Sequence, residues 1–214
     1  MVKYKIIDNF LSDSDFINLS NRIVPGPLEA SGQTPNFSWI WMFAQTLLDE
    51  PDHLKKVTDI KLLDPLHQHF WCHPIWDRWA AVNMGTVPLL SALLSKINPM
   101  AVHRIFANFT VQQEKRGRSQ FHIDYAGNPP THKQHPSMIT SIFYMNTTNG
   151  PTILEDGTEI ECRANRLVSY PYETFHAGTL CTDQSYRIVI NLNYFADTES
   201  EFGAESRFYK KNIK

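Results

Sequence analysis

Hydrophobic and polar residues alternate from Val2 to Asp8, the two-residue period of a strand. The pattern then becomes helical. Ser12-Asp13-Ser14-Asp15 opens a helix, with Ser12 placed to cap and Asp15 three residues on as a weaker form of the capping box. Phe16, Leu19 and Ile23 follow on one face, and Pro25-Gly26-Pro27 stops the helix. Turn formers fill the segment as far as Pro35. Phe37 to Thr46, with Trp39 and Trp41, reads as a strand, and Asp59 to Phe70 as a helix. Thr86-Val87-Pro88 starts another helix, threonine as cap and proline in the first turn. Leu90, Leu93, Leu94 and Ile97 give it an apolar face, and Asn98-Pro99 ends it.

After residue 100 the period of two takes over. Extended segments are predicted at about 101–111, 120–125, 138–146, 151–155, 158–162, 166–170 and 185–195. Asp156-Gly157 between alternating runs is a hairpin signal. Tyr186 to Tyr194 is the strongest strand in the chain. Many short strands at this spacing suggest a sandwich or barrel of the jelly-roll kind, so the fold expected is mainly β with flanking helices. There are no repeats and no low-complexity linker. The chain is therefore read as one domain over 1–214, with a helix-rich N-terminal support over 1–99, a jelly-roll core over 100–196 and a tail over 197–214. That tail, including Arg207-Phe208-Tyr209-Lys210-Lys211, is expected on the surface.

Composition narrows the function classes. Apolar residues make up 42% and aromatics 12%, which is enough for a true core. The formal charge of −2 weighs against a basic face for nucleic acid or a membrane surface. No run approaches the roughly 18 apolar residues of a membrane helix, and Asp8 comes too early for a signal peptide. Cys72, Cys162 and Cys181 are odd in number and widely spaced, so neither a disulfide framework nor a thiolate zinc site follows. A reducing, cytoplasmic setting is expected. The nine histidines direct attention to where they sit.

Gln120-Phe121-His122-Ile123-Asp124 lies in an extended stretch. Residues two apart on a strand share a face, about 6–7 Å apart along the backbone, so His122 and Asp124 can converge on one ion. Thr174-Phe175-His176-Ala177-Gly178 supplies a third ligand at His176. Two histidines and one carboxylate form the facial triad that holds non-haem Fe(II) and leaves positions open for a co-substrate and O2. Arg187 stands in the apolar strand that follows, where a cation is costly to bury unless it meets an anion. A guanidinium pairs with a carboxylate in a bidentate fork, and 2-oxoglutarate carries such a carboxylate at the end opposite its metal-chelating keto acid.

The order His-x-Asp, about fifty residues, His, about ten residues, Arg resembles the Fe(II)/2-oxoglutarate-dependent dioxygenases, and the surrounding text is similar to their prolyl-hydroxylase-like branch. The resemblance covers roughly residues 100–196. Thr140-Ser141-Ile142-Phe143-Tyr144-Met145-Asn146 is similar to the family strand ending in Tyr-Leu-Asn. Asn149-Gly150-Pro151-Thr152 stands where many members have Gly-Gly-x-Thr, and Arg166-Leu167-Val168-Ser169-Tyr170-Pro171 resembles the segment before the distal histidine. The resemblance implies a double-stranded β-helix, a cupin-like jelly roll with helices outside. It implies hydroxylation of a C–H bond coupled to decarboxylation of 2-oxoglutarate to succinate, with ascorbate as a reductant. It also implies His122, Asp124 and His176 as metal ligands, Arg187 and Tyr144 on the far carboxylate, and Asn108 as a further 2-oxoglutarate contact. No separate general base is required. The branch implies a protein side chain, such as peptidyl proline, or a small molecule as substrate.

Departures bear on the substrate. Asn149-Gly150 replaces the paired glycines, and the loop Gln112 to Ser119 is longer than a minimal member's. Nucleic-acid demethylases of the superfamily carry a second arginine six residues after the first, where this chain has Asn193. His67-x-His69-x-x-x-His73 lacks the acidic partner of a zinc motif; the spacing allows His69 and His73 a shared helical face, and the cluster is read as packing or, equally, as a border of the substrate opening. Trp39, Trp41, Trp71, Trp76 and Trp79 are read as core and lid aromatics. Nucleophile-elbow, phosphate-loop and dinucleotide patterns are absent. Two rival readings remain: a jelly-roll binding module without turnover, and a metal-dependent dioxygenase that does not use 2-oxoglutarate.

Overall fold

The computed structural model describes residues 2–24, 39–43, 50–63, 69–124 and 138–197. Helix α1 runs from Asp13 to Ile23, and Ser12 caps it by accepting the Asp15 N–H. Leu19 and Ile23 are its buried positions. Thr86 behaves differently from the cap expected of it. It opens a 3-10 turn over Val87–Leu90 without capping, because its hydroxyl donates to the Asn83 carbonyl and faces the buried His73 ring. Helix α2, Ser91–Ile97, continues from that turn and ends at Asn98 in the left-handed conformation.

The helix expected over 59–70 is not found among the described residues. Asp59–Leu63 carries bends and a single bridge at Leu62, residues 64–68 lie outside the described set, and His69 already begins a strand. The aromatic and β-branched run His69-Phe70-Trp71-Cys72-His73-Pro74-Ile75-Trp76 favours the pleated form, and tertiary pairing decides the outcome. His73 is therefore not on a helix. It is buried and hydrogen-bonded to Asn83 and Thr86. The strand expected over 37–46 is present at Ile40–Phe43, and its two ends, 37–38 and 44–46, fall outside the described residues, as do the Pro35 loop, His67 and the Arg207–Lys211 surface segment.

The eleven described strands are β1 Lys5–Ile7, β2 Ile40–Phe43, β3 His69–Asp77, β4 Ala80–Ala81, β5 Ala101–Val111, β6 Met138–Tyr144, β7 Thr148–Leu154, β8 Glu159–Cys162, β9 Arg166–Pro171, β10 His176–Gly178 and β11 Tyr186–Phe195. The large antiparallel sheet has the order β1-β9-β6-β11-β5-β3-β2, with β4 paired to β3. The small sheet is β10-β7-β8. Bridges Arg118↔Thr179 and His122↔His176 add the 118–122 segment to its edge. This is a jelly roll: two facing sheets with helices outside.

Alternation sorts each long strand into two faces. Ile105, Ala107, Ile188, Ile190, Leu192 and Phe143 point outward from the large sheet and are buried under Leu19, Ile23, Leu90, Leu93 and Ile97 of the helical layer. Burying each such side chain contributes about 1.5–3 kcal/mol. The opposite faces of the same strands look into the roll, where Ile142, Tyr144, Leu154, Val168, Tyr170 and Val189 meet. Two glycines answer specific backbone demands. Gly157 sits at φ +85 in the β7–β8 turn. A Cβ on Gly150 would lie 2.9 Å from the Thr179 carbonyl oxygen. Among the described residues no helix is long and apolar enough to cross a membrane.

One buried ion pair ties the N-terminal segment to the small sheet. Glu50 accepts from Arg118 at 2.5 and 3.2 Å and from the Phe121 N–H at 2.9 Å. Burial raises the Glu50 carboxyl, but these hydrogen bonds and the Arg118 charge outweigh it and hold it below its ordinary value. Glu50→Gln is expected to cost about 3–5 kcal/mol at neutral pH, because Arg118 is left buried without its counter-charge. A depressed carboxyl stabilises above its unfolded value and loses that contribution as pH falls through the folded one. The gap in melting temperature between wild type and E50Q should therefore be full at pH 7 and shrink below about pH 4. A gap unchanged between pH 7 and pH 3 would remove the charge from the explanation.

Candidate active site

His122 and His176 stand directly opposite each other across an antiparallel bridge. Each main-chain N–H donates to the other's carbonyl at 3.0 Å. The register is fixed by their neighbours. Phe121 and Ala177 point to the outer side of the small sheet and pack with Leu54 and Ile153, so the two imidazoles turn inward. Their ring centroids are 4.7 Å apart. The expected strand over 120–125 is thus only a bridged extended segment, yet it still puts His122 and Asp124 on one side.

The three expected metal ligands come together. His122 Nε2 and His176 Nε2 each lie 3.8 Å from the same atom, Asp124 Oδ1. One candidate ligand atom from each residue lies within 4.8 Å of the others. Each Nδ1 faces a main-chain carbonyl, Gln120 at 2.9 Å and Thr174 at 3.3 Å. A carbonyl only accepts, so each Nδ1 donates, and the lone pair of the neutral ring is left on Nε2, toward Asp124. His176 Nε2 is buried and has no hydrogen-bond partner. Burial lowers the His176 pKa to about 4, leaving the ring neutral at physiological pH. Burial alone would raise the Asp124 carboxyl, but the Arg104 charge and the Asn193 amide act against it and hold it below its ordinary value. Two imidazoles and a carboxylate, with the orphaned lone pair of His176 between them, fit a divalent cation.

Arg187 sits deeper in the same roll and is 5% exposed. Its Nε donates to the Gly150 carbonyl at 2.9 Å and one terminal nitrogen donates to Thr152 Oγ1 at 3.0 Å. No carboxylate pairs with it among the described residues. Thr152 is registered against Gly178, two positions from the His176–Leu154 pair, so the guanidinium's anchor lies about 6–7 Å along the small sheet from His176. Tyr144 is wholly buried beside it. The guanidinium carbon is 5.7 Å from the ring centroid, and the Tyr144 hydroxyl donates to Thr152 Oγ1 at 2.9 Å. The Asn108 side-chain oxygen is buried without a partner.

Four further residues share this cavity. The hydroxyl of Tyr170, 1% exposed, has no partner, and its ring lies 5.4 Å from that of His176. The side-chain oxygen of Asn191 is also buried and unpartnered. Asn193 Nδ2 donates to Thr140 Oγ1 at 2.9 Å and reaches Asp124 Oδ2 at 3.4 Å. Arg104, the cross-strand neighbour of Asn193, donates to the Asp124 main-chain carbonyl at 2.8 Å. Counting in twos along β11 from Arg187 would have found Asn191. Tyr170 and Arg104 carry no local signal, because their position depends on which strands pair.

Solved structures provide a comparison for this geometry. The chain is similar to a prolyl hydroxylase from Trichoplax adhaerens in complex with a hypoxia-inducible-factor oxygen-degradation-domain peptide fragment, at 16% identity over 95% of this chain and 86% of that one, with a TM-score of 0.54. It is similar to a Pseudomonas putida prolyl-4-hydroxylase at 9% identity, over 92% and 94% of the two chains, with a TM-score of 0.52. It is also similar to a non-haem α-ketoglutarate-dependent carbocyclase, SnoK, of nogalamycin biosynthesis at 12% identity, over 96% and 86%, with a TM-score of 0.54. What they share is the jelly roll. No family model and no curated protein matches the chain.

Proposed function

We propose that the chain is a non-haem Fe(II)- and 2-oxoglutarate-dependent dioxygenase that hydroxylates a substrate C–H bond while 2-oxoglutarate is decarboxylated to succinate and CO2. The observation that carries the reading is a pair of inward imidazole nitrogens at equal distance from one Asp124 oxygen, with an uncompensated guanidinium further along the same cavity. The folds to which the chain is similar include hydroxylases and an α-ketoglutarate-dependent enzyme, and this supports the class.

In this reading His122, Asp124 and His176 hold the metal from one side. Bound Fe(II), with the keto acid and O2, supplies the oxidising chemistry. Arg187 fixes the far carboxylate of 2-oxoglutarate. Its bonds to Gly150 and Thr152 already set the fork in place, so little freedom is lost on binding. Tyr144 braces Thr152 from the other side, and Asn108, Asn191 and Tyr170 offer unused polar atoms around the ligand. The apolar walls Ile142, Leu154, Val168 and Val189 keep the chamber dry, which strengthens each charge interaction inside it.

Purified protein given Fe(II), 2-oxoglutarate and ascorbate is expected to release succinate slowly without a prime substrate, and faster with the cell-extract fraction that contains it. Lack of succinate, together with no binding of 2-oxoglutarate to the Mn(II)-loaded protein, would sink the assignment. Substrate oxidation that proceeds without 2-oxoglutarate would point instead to a dioxygenase of another kind.

A further inference from the structure

We propose that Arg104 receives a carboxylate of the prime substrate, so that the substrate is a monocarboxylate positioned for oxidation beside Asp124. The inference rests on the oxygenase reading and deepens it. Arg104 lies on the inward face of β5 and is half-buried. Its guanidinium carbon is stacked 3.9 Å from the Phe106 ring centroid, and one nitrogen donates to the Asp124 carbonyl. No carboxylate pairs with it at salt-bridge distance among the described residues. It is close enough to Cys72, registered against Asn108 on the neighbouring strand, to lower that buried thiol against the rise that burial causes. Arg104 thus stands on β5 with Asp124 on one side and the β3 strand next to it on the other.

Charge decides what such a group wants. Of the three arginines buried among the described residues, Arg118 has Glu50 and Arg166 has Asp8, while Arg187 has no carboxylate; half-buried Arg104 has none either. Among the described residues the ionised side chains along the cavity are Asp124, Arg104 and Arg187. A divalent metal and two guanidinium groups against one carboxylate leave three positive charges. Dianionic 2-oxoglutarate removes two of them. One positive charge remains, and Arg104 is the cation left without an anion. Desolvating it unpaired is unfavourable, and a planar fork with unused donors suits a carboxylate. A phosphate, which carries more than one charge at neutral pH, would overshoot. A neutral peptide or unmodified amide would leave the arginine unmatched.

The test needs no knowledge of the natural substrate. Protein is loaded with Mn(II), a redox-inert paramagnet, and saturating 2-oxoglutarate, so that Arg187 is occupied. Carbonyl-labelled acetate and acetamide are then titrated, and relaxation of the labelled carbon by the manganese is followed by NMR. Acetate is expected to show saturable enhancement and acetamide none. Arg104→Gln, which keeps a donor for the Asp124 carbonyl but loses the charge, should weaken acetate about tenfold or more while Mn(II) and 2-oxoglutarate affinities stay within about threefold. Arg104→Lys should bind acetate better than R104Q. Acetate binding that survives R104Q, as direct coordination to manganese would, overturns the proposal. So does equal binding of acetate and acetamide. A variant that loses Mn(II) affinity as strongly as acetate affinity makes Arg104 a positioning residue for Asp124 only. If the wild type takes up neither Mn(II) nor 2-oxoglutarate, the oxygenase reading itself has failed, and this is known before acetate is added.

Discussion

His122→Ala is expected to abolish metal uptake and, with it, succinate release. The substitution removes one of three ligand atoms and nothing from the framework that holds the other two. The bridge to His176 is made by main-chain groups, which alanine keeps. Phe121 still packs outward against Leu54. The His122 side chain is 31% exposed, so its loss leaves no sealed cavity. Metal affinity should fall by more than the roughly 10–100-fold typical of losing a partner that only orients a ligand. Isothermal titration with Mn(II) gives the affinity, and the melting temperature without metal should stay within a few degrees of wild type. A variant that binds Mn(II) within tenfold of wild type, or decarboxylates 2-oxoglutarate as fast, would show that the three side chains do not act as one site.

Most of the roll could be read from sequence because its strands alternate. On β11 the outward residues Ile188, Ile190 and Leu192 are continuous, and the inward polar residues stand out against them. The hairpin at Asp156-Gly157 needed only a residue that tolerates positive φ. Failures came where pairing overrode local pattern. Residues 69–77 have no clean period and became a strand because β5 offered a partner. β10 is three residues long, too short for a pattern. Thr86 has the chemistry of a cap, but a buried histidine took its hydroxyl's attention.

The site divides along the same line. Local spacing places His122 beside Asp124; His176 and Arg187 stand out in separate segments by their chemistry, and the resemblance ties all four into one site. Chain order alone could not put Tyr170 against His176 or Arg104 against Asp124, since those meetings follow from the register β5-β11-β6-β9. In that register Arg104, Asn193, Thr140 and Tyr170 form one row across four strands, level with Asp124 and His176. Asn193, where a nucleic-acid demethylase would have its second arginine, here hydrogen-bonds Thr140 and reaches the aspartate. The row thus carries its cation on β5, at the side of the chamber that faces β3.

Arg187→Gln should separate co-substrate binding from metal binding. Glutamine reaches nearly as far and can still donate to Gly150 or Thr152, but it carries no charge. Removing one member of a buried, hydrogen-bonded charge pair costs about 2–5 kcal/mol, or roughly 30- to several-thousand-fold in affinity. The dissociation constant of 2-oxoglutarate from the Mn(II) form should rise by that factor. Mn(II) affinity measured without 2-oxoglutarate should hardly change, because Arg187 is anchored two strand positions from His176 and touches none of the ligands. Free of ligand, the variant is expected to be no less stable than wild type: the buried guanidinium has no counter-charge there, and a neutral amide relieves that cost while giving up at most one hydrogen bond. Loss of 2-oxoglutarate affinity with unchanged or improved melting temperature is the signature of a residue kept for its ligand. Unchanged 2-oxoglutarate affinity would mean that the keto acid does not reach this end of the cavity, and the charge count that singles out Arg104 would then have to include Arg187 as well.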